Sequence, residues 1–478
     1  MKRVVLLLII ILAFGLRLYR LNSPIADWHS WRQADTSAVS RNFLKQGFDL
    51  LHPRFDDLSK VASGLDNPQG YRFVEFPFYN LLQAGAFRLF PWFSLEVWGR
   101  LVSIFASIGA LIFLYLLTQK YLGAQTALLA ALFYAILPFN IYYSRAILPE
   151  PLMNLAWLGM VYFFDQWISV PNNFSPITYR LSLAVIFAAI SFLLKPYTLV
   201  FLLPVAYLAW RRWRFNWQKW LAWSLGILAA LVPFIAWRVW MQQYPEGIPD
   251  FFWLINKTGI RFRGAWWWWL FGERIGRLIL GGWGLIPLGI GLILKPAKKE
   301  GWFFYACLLA ILAYFAIIAD GNVHHDYYQV MAVPVLCIFL AKGANFLLTP
   351  AGEAFSRFAG YSLLVISLLF LLAFSWYQVR DYFNINNPAI VAAGETADQL
   401  LPDEAKVIAP YGGDTAFLYQ TKRQGWPIAF DVESLIELGA QYYVSVNFDQ
   451  QTNQVMDQGR VLQKTDQWVI VDLTKQGS

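Results

Sequence analysis

The stretch Ile190-Ser191-Phe192-Leu193-Leu194-Lys195-Pro196-Tyr197-Thr198-Leu199-Val200-Phe201 sets a lysine and a proline in the middle of an apolar run over residues 181–210. About 20 apolar residues cross a hydrocarbon core of about 30 Å. One helix over 181–210 would be overlong, with a charge at its centre. Taken as two helices, residues 181–194 and 197–210 are each short. The basic residues decide between these readings. If the chain turns at Lys195-Pro196, then Lys2, Arg3, Lys120, Arg180, Arg211, Arg212, Arg214, Lys219, Lys295, Lys298, Lys299, Lys342 and Arg357 all fall on one side of the membrane. If it does not turn, they split between sides. The positive-inside rule selects the turn.

Further apolar runs lie at residues 4–19, 98–118, 124–143, 151–168, 219–241, 278–294, 301–319, 328–348 and 361–378. With the pair at Lys195 they predict a polytopic α-helical membrane protein of about eleven transmembrane helices, N-terminus cytoplasmic and C-terminus extracytoplasmic. Composition agrees: 58% of the 478 residues are hydrophobic, 14% are charged, and there are 23 Trp. Those values exclude a disordered or fibrous chain and argue against an ordinary cytosolic enzyme. The basic start, Met1-Lys2-Arg3, resembles a signal peptide, but no small-residue cleavage site follows, so the first run reads as a retained helix. The net charge of +8 fits membrane lipid headgroups and the placement of cytoplasmic loops, with no nucleic acid implied. Cys307 and Cys337 both sit in apolar runs, which leaves no disulfide framework and no cysteine zinc site.

The organisation expected is a membrane domain over 1–379, with a long first extracytoplasmic loop over 24–97, and a small soluble extracytoplasmic α/β domain over 380–478. The tail differs in kind from the rest. Its net charge is −6 against +14 for residues 1–379. Short strand-like runs such as Lys406-Val407-Ile408-Ala409 and Trp468-Val469-Ile470-Val471 alternate in it with helical patterns.

Charges that persist near a membrane are informative because they are expensive there. In the first loop, Asp27-Trp28-His29-Ser30-Trp31-Arg32-Gln33-Ala34-Asp35-Thr36 precedes a helical pattern over 36–46 closed by Gly47. Asp35 is either the N-cap of that helix or a functional carboxylate. A second acid, Glu150, follows Arg145 in Ser144-Arg145-Ala146-Ile147-Leu148-Pro149-Glu150. Lys195 stands at the tip of two short helices. Fourteen residues rise only about 21 Å, so its charge lies below the membrane surface, where it snorkels or meets an anion. The run Asp320-Gly321-Asn322-Val323-His324-His325-Asp326-Tyr327-Tyr328 supplies imidazoles and hydroxyls, and all four His of the chain fall on the outer side. Acids, cations and imidazoles on one face are the layout of an active site at the membrane boundary.

In order and spacing these segments resemble a GT-C glycosyltransferase of the protein O-mannosyltransferase and lipid A aminoarabinose transferase superfamily. Trp31-Arg32-Gln33-Ala34-Asp35-Thr36 is similar to that family's first-loop acidic segment, with Thr36 where an acid is usual. Lys195-Pro196 resembles its Lys-Gly-Pro turn without the Gly. His324-His325-Asp326-Tyr327-Tyr328, followed by Pro334, resembles its His-Tyr-Tyr segment. Glu75-Phe76-Pro77-Phe78 resembles its Lys-Pro-Pro-Leu segment, with an acid in place of Lys. The resemblance implies transfer of a sugar from a polyprenyl-phosphate donor to an acceptor hydroxyl on a glycan, lipid or protein, in the cell (inner) membrane and with inversion. On that reading Asp35 is the base. Glu150 either orients a substrate or pairs with Arg145. Arg32, Arg145, Lys195, His324, His325, Tyr328 and Glu75 form the substrate-binding set, although Arg32 can also be read as the ion-pair partner of Asp35 three residues on.

No cofactor is required by such chemistry. His29, His324, His325, Glu75 and Asp326 are the residues that would hold a divalent metal, but no His-x-x-x-His spacing occurs. The run Trp266-Trp267-Trp268-Trp269 reads as an interfacial anchor, with donor-lipid access as its second reading. Two other classes compete with the enzyme. A lipid-linked-sugar transporter or flippase would place charges at the bilayer midplane in repeated halves, and no halves match here. A glycan-binding module would not need so many helices.

Overall fold

The computed structural model describes residues 1–169, 179–349 and 356–476. They form two compact units. The first comprises residues 1–19, 103–236 and 251–381, and the second residues 20–102, 237–250 and 382–478.

The first unit is helical. Among the described residues, four helical segments are long and apolar enough to cross a membrane: Leu95–Leu122, Trp217–Gln243, Asp326–Leu348 and residues 357–400, of which the apolar helix is Arg357–Val379. Ala124–Ile136, Tyr179–Leu194 and Phe303–Ile317 are shorter apolar helices. The protein is thus a multi-pass helical membrane protein. The chain breaks at Lys195. The Tyr179–Leu194 helix ends there, Lys195 is extended (φ −149°, ψ 107°), and a 3-10 turn over Pro196–Phe201 leads into the Leu202–Trp213 helix. Proline disfavours the helical region for the residue before it, which accounts for the break at this residue. Elsewhere the helices are more interrupted than the apolar runs. The run at 124–143 is divided at Leu137, with Ala124–Ile136 before it and Pro138–Tyr143 after it. The run at 278–294 holds the helix Leu285–Ile293, preceded by two left-handed glycines, Gly281 and Gly282. Trp268–Ile279 is a π-helix, a rare form concentrated at functional sites.

Lipid tails give no hydrophobic reason for two helices to meet, so close backbone approach over small residues does that work. The Leu285–Ile293 and Val333–Leu348 helices meet in this way. A β-carbon at Gly291 would fall on the Phe339 carbonyl, and one at Gly343 on the Pro287 carbonyl.

The second unit is built on a five-stranded sheet of order β2-β1-β3-β5-β4. Its strands are β1 (Lys406–Ile408), β2 (Gln424–Trp426), β3 (Tyr442–Ser445), β4 (Gly459–Lys464) and β5 (Val469–Gln476). β1 runs parallel to β2 and β3, and β5 runs antiparallel to β3 and β4. Asn387, Asp414, Asp431 and Asp449 cap the four helices that lie between or before the strands. One core layer gathers Ile390, Phe417, Val444 and Ile470 with Ala26, and the other gathers Ile408, Trp426 and Val471 with Leu58. Ala26 and Leu58 come from the first loop. That loop also covers the edge of the sheet: Leu58 N–H donates to the Gly425 carbonyl and Gly425 N–H to that of Asp56. An uncovered edge strand is a template for unwanted pairing.

The first-loop helix spans Ser30–Gln46 and ends at Gly47, whose φ of 102° suits a residue without a side chain. It starts earlier than the pattern over 36–46 predicts. His29 in the left-handed region (φ 53°) precedes it, and Gln33 Nε2 turns back to Asp27 Oδ1 at 2.7 Å. Asp35 therefore lies in the second turn, and the N-cap reading of it is incorrect.

Gly343→Ala is expected to lower the thermal unfolding midpoint in detergent, because overpacking costs about 1–3 kcal/mol. Gly289→Ala, in the same helix as Gly291 but with open space around the added carbon, should leave the midpoint unchanged or raise it. Equal midpoints for the two variants would contradict the packing described.

Candidate active site

In the second unit the Ser30–Gln46 helix carries Asp35 into a site where it is 3% exposed. Both of its oxygens are met. Arg72 Nη2 donates to Oδ2 at 2.6 Å, and Thr415 Oγ1 donates to Oδ1 at 2.6 Å. The cation on Asp35 is thus Arg72, not Arg32. Arg32 pairs with Glu75 instead. The Arg72 guanidinium also lies over the Phe55 ring, 4.9 Å from its centre.

Two further acids feel the Asp35 charge. Asp57 is buried, and burial first, then Asp35, pushes it up to about 7, against the Ser59 N–H that donates to it at 2.7 Å. Asp414 is pushed up to about 6 by burial, with Asp35 adding to it and the Ala416 N–H opposing. Asp35 is therefore a buried, doubly hydrogen-bonded carboxylate with two neighbours that resist ionising beside it.

The first unit holds the second cluster. Glu150 opens the Glu150–Ile168 helix and is buried. Lys195 Nζ stands 3.0 Å from Glu150 Oε1. The contact is an ion pair without hydrogen-bond geometry, as neither Glu150 oxygen is hydrogen-bonded. The ion-pair partner of Glu150 is therefore Lys195, which the sequence reading did not anticipate, and not Arg145. The Lys195 ammonium is also 6.0 Å from the Tyr197 ring. Tyr197 packs on Tyr314 at 4.9 Å and on Tyr328 at 6.2 Å, and the Tyr314 hydroxyl donates to the Tyr328 carbonyl at 3.1 Å. His325 stacks on Tyr327 at 5.4 Å. Asp326 accepts from the Tyr143 hydroxyl and lies 3.8 Å from Arg274, which is on the π-helix. His324 is tied to the Asp320 carbonyl at 2.8 Å through Nδ1. Arg145 is buried, 5.9 Å from the Tyr142 ring.

The structure therefore brings Glu150, Lys195, Tyr328 and the His324–Asp326 segment into one connected cluster, and Asp35, Arg32 and Glu75 fall in the other unit. Among the described residues, no three His, Cys, Asp or Glu side chains gather as a metal-ligand set. Arg72, Thr415, Asp57 and Asp414, and in the other cluster Tyr197, Tyr314 and Arg274, were not anticipated. None belongs to a spacing pattern. Only the cost of burying Asp35 signals that partners such as Arg72 and Thr415 must exist.

The backbone is similar to ArnT from Cupriavidus metallidurans bound to undecaprenyl phosphate, with a TM-score of 0.70 at 14% identity over 97% of each chain. The chain has the GT-C fold. That fold extends to the archaeal oligosaccharyltransferase AglB from Archaeoglobus fulgidus in complex with an inhibitory peptide and a dolichol-phosphate. There the TM-score is 0.57 at 12% identity, covering 93% of this chain and 69% of that one. In sequence, residues 72–240 match the dolichyl-phosphate-mannose-protein mannosyltransferase family. This GT-C segment includes Glu75, Arg145, Glu150 and Lys195. Comparison with curated protein sequences yields no match.

The raised acid at Asp57 makes a pH-dependent contribution. A free Asp titrates near 3.9, so between about pH 4 and 7 the folded state keeps a proton at Asp57 that the unfolded chain has released. Stability falls as pH rises through that window and levels off above it. Asp57→Asn removes the term. The variant's gain in unfolding midpoint over wild type should be larger at pH 8 than at pH 5, and an equal gain at both would contradict the assignment.

Proposed function

We propose that the protein is a membrane glycosyltransferase that moves a sugar from a polyprenyl-phosphate donor to an acceptor hydroxyl. It acts on the extracytoplasmic face of the cell (inner) membrane, with the N-terminus cytoplasmic and about eleven spans. One observation carries the reading. A buried carboxylate, Asp35, is held at both oxygens in a chain whose fold is that of ArnT, a protein solved with undecaprenyl phosphate.

The chemistry follows from what each group can do. A hydroxyl is a weak nucleophile until its proton has a place to go. Asp35 accepts that proton while the acceptor oxygen attacks the anomeric carbon. The bond from that carbon to the phosphate oxygen breaks, and the polyprenyl phosphate leaves with the electron pair. A single displacement inverts the anomeric centre. Nothing is oxidised or reduced, so no redox cofactor enters the balance. The leaving group is already anionic and needs positive charge rather than an acid. Lys195, Arg145 and Arg274 are the cations proposed for this role. Glu150 holds Lys195 in place, and Tyr328 and His325 supply further hydrogen-bond donors.

The test is Asp35→Asn in the full-length protein. The amide still accepts from Thr415 but takes up no proton. Turnover should fall at least about 100-fold, the lower bound of general-base contributions, with donor affinity retained. Near-normal turnover would remove Asp35 as the base and leave Glu150 as the next candidate.

A further inference from the structure

We propose that Thr415 is a positioning residue for Asp35, and that supplying it is the part the C-terminal segment plays in the reaction. The inference rests on the reading of Asp35 as base. Thr415 opens the Thr415–Gln420 helix, and Asp414 caps that helix by accepting from Ala416 N–H at 2.7 Å. Gly412 and Gly413, at φ 64° and 85°, turn the chain into it. The helix is pinned to the first-loop helix by side chains one turn further on. The Tyr419 hydroxyl meets Ser37 at 2.9 Å and Glu96 Oε1 at 2.6 Å. Arg41 donates to the Tyr419 carbonyl at 3.1 Å, with its guanidinium 4.0 Å from the centre of the Tyr419 ring. These contacts hold the helix that carries Thr415 against the first-loop helix.

Its hydroxyl has one proton and two acceptors in reach, the Trp31 carbonyl at 3.1 Å and Asp35 Oδ1 at 2.6 Å. Hydrogen bonds to an ionised acceptor are shorter and about twice as strong as neutral ones, so the proton goes to Asp35. With Arg72 on the other oxygen, the carboxylate plane is fixed. Each oxygen keeps one lone pair, and its direction is set by the two donors. A base that must meet a hydroxyl proton at hydrogen-bond distance depends on that direction. Loss of the Thr415 hydroxyl releases the carboxylate to rotate about Arg72. Donor binding is untouched and the chemical step is slowed.

The experiment uses full-length protein and, as donor, the polyprenyl-phosphate sugar fraction extracted from the membranes of the source cells, with released polyprenyl phosphate quantified by mass spectrometry. Thermal unfolding of each variant is recorded first, and Thr415→Ala replaces Thr415→Val if the latter does not fold. Thr415→Val is expected to lower kcat by about 10-fold or more, the scale of one hydrogen bond to a charged group, with KM for the donor unchanged. Thr415→Ser should restore most of kcat. Adding Thr415→Val to Asp35→Asn should cause no further loss, because the two residues act as one unit. Wild-type kcat in Thr415→Val, or a full further loss in the Asp35→Asn background, would overturn the proposal. Near-normal turnover of Asp35→Asn alone is a different failure, that of the base reading itself.

Discussion

A carboxylate removed from water keeps its charge only if donors replace the solvent, and the Asp35 site is organised around that requirement. Asp35 receives one donor from Arg72 and one from Thr415. Each makes demands on its surroundings. Arg72 leans on Phe55, whose backbone N–H bonds the Gly70 carbonyl two residues before Arg72. Thr415 needs the capped helix beneath it and the Tyr419–Arg41 clamp on the first-loop helix. The loop repays the sheet by covering the edge of β2 and filling both core layers with Ala26 and Leu58. Loop and C-terminal segment are in this sense one folding unit, although more than 280 residues of sequence lie between them.

The second cluster solves the opposite problem. A lysine in an apolar helical stretch needs an anion, and Glu150 provides one at 3.0 Å. Neither Glu150 oxygen is hydrogen-bonded. The pair therefore has Coulomb attraction but little of the directional support that makes a buried ion pair stabilising in itself. Tyr197, close to the Lys195 ammonium, packs in turn on Tyr314 and Tyr328, so the pair sits beside an aromatic layer.

How much of this was legible in the sequence depends on the kind of interaction. The multi-pass character and the break at Lys195-Pro196 were readable because charge and proline inside an apolar run are costly locally. Glu150 and Lys195 stood out for the same reason, and Asp35 as an acid in a loop close to the end of the first apolar run. The N-cap reading of Asp35 failed because the helix start is set by tertiary contacts, with Gln33 reaching back to Asp27, rather than by the pattern over 36–46. Arg32 looked like the partner of Asp35 because helical spacing is all that a sequence displays. The true partners are 37 and 380 residues away, and no period connects them. Gly291 and Gly343 were equally silent, since a glycine's role at a crossing depends on which carbonyl it faces.

The central claim is that the protein breaks the bond between a sugar and its phosphate carrier instead of moving the intact lipid. The measurement that bears on it most directly is reconstitution of purified protein into vesicles with extracted polyprenyl-phosphate sugars and a membrane extract as acceptor. The carrier is followed by mass spectrometry, and the anomeric configuration of the product by nuclear magnetic resonance. The account predicts free polyprenyl phosphate and a product of inverted configuration. Donor that crosses the bilayer with its sugar still attached, and no free carrier, would contradict it and make the protein a transporter.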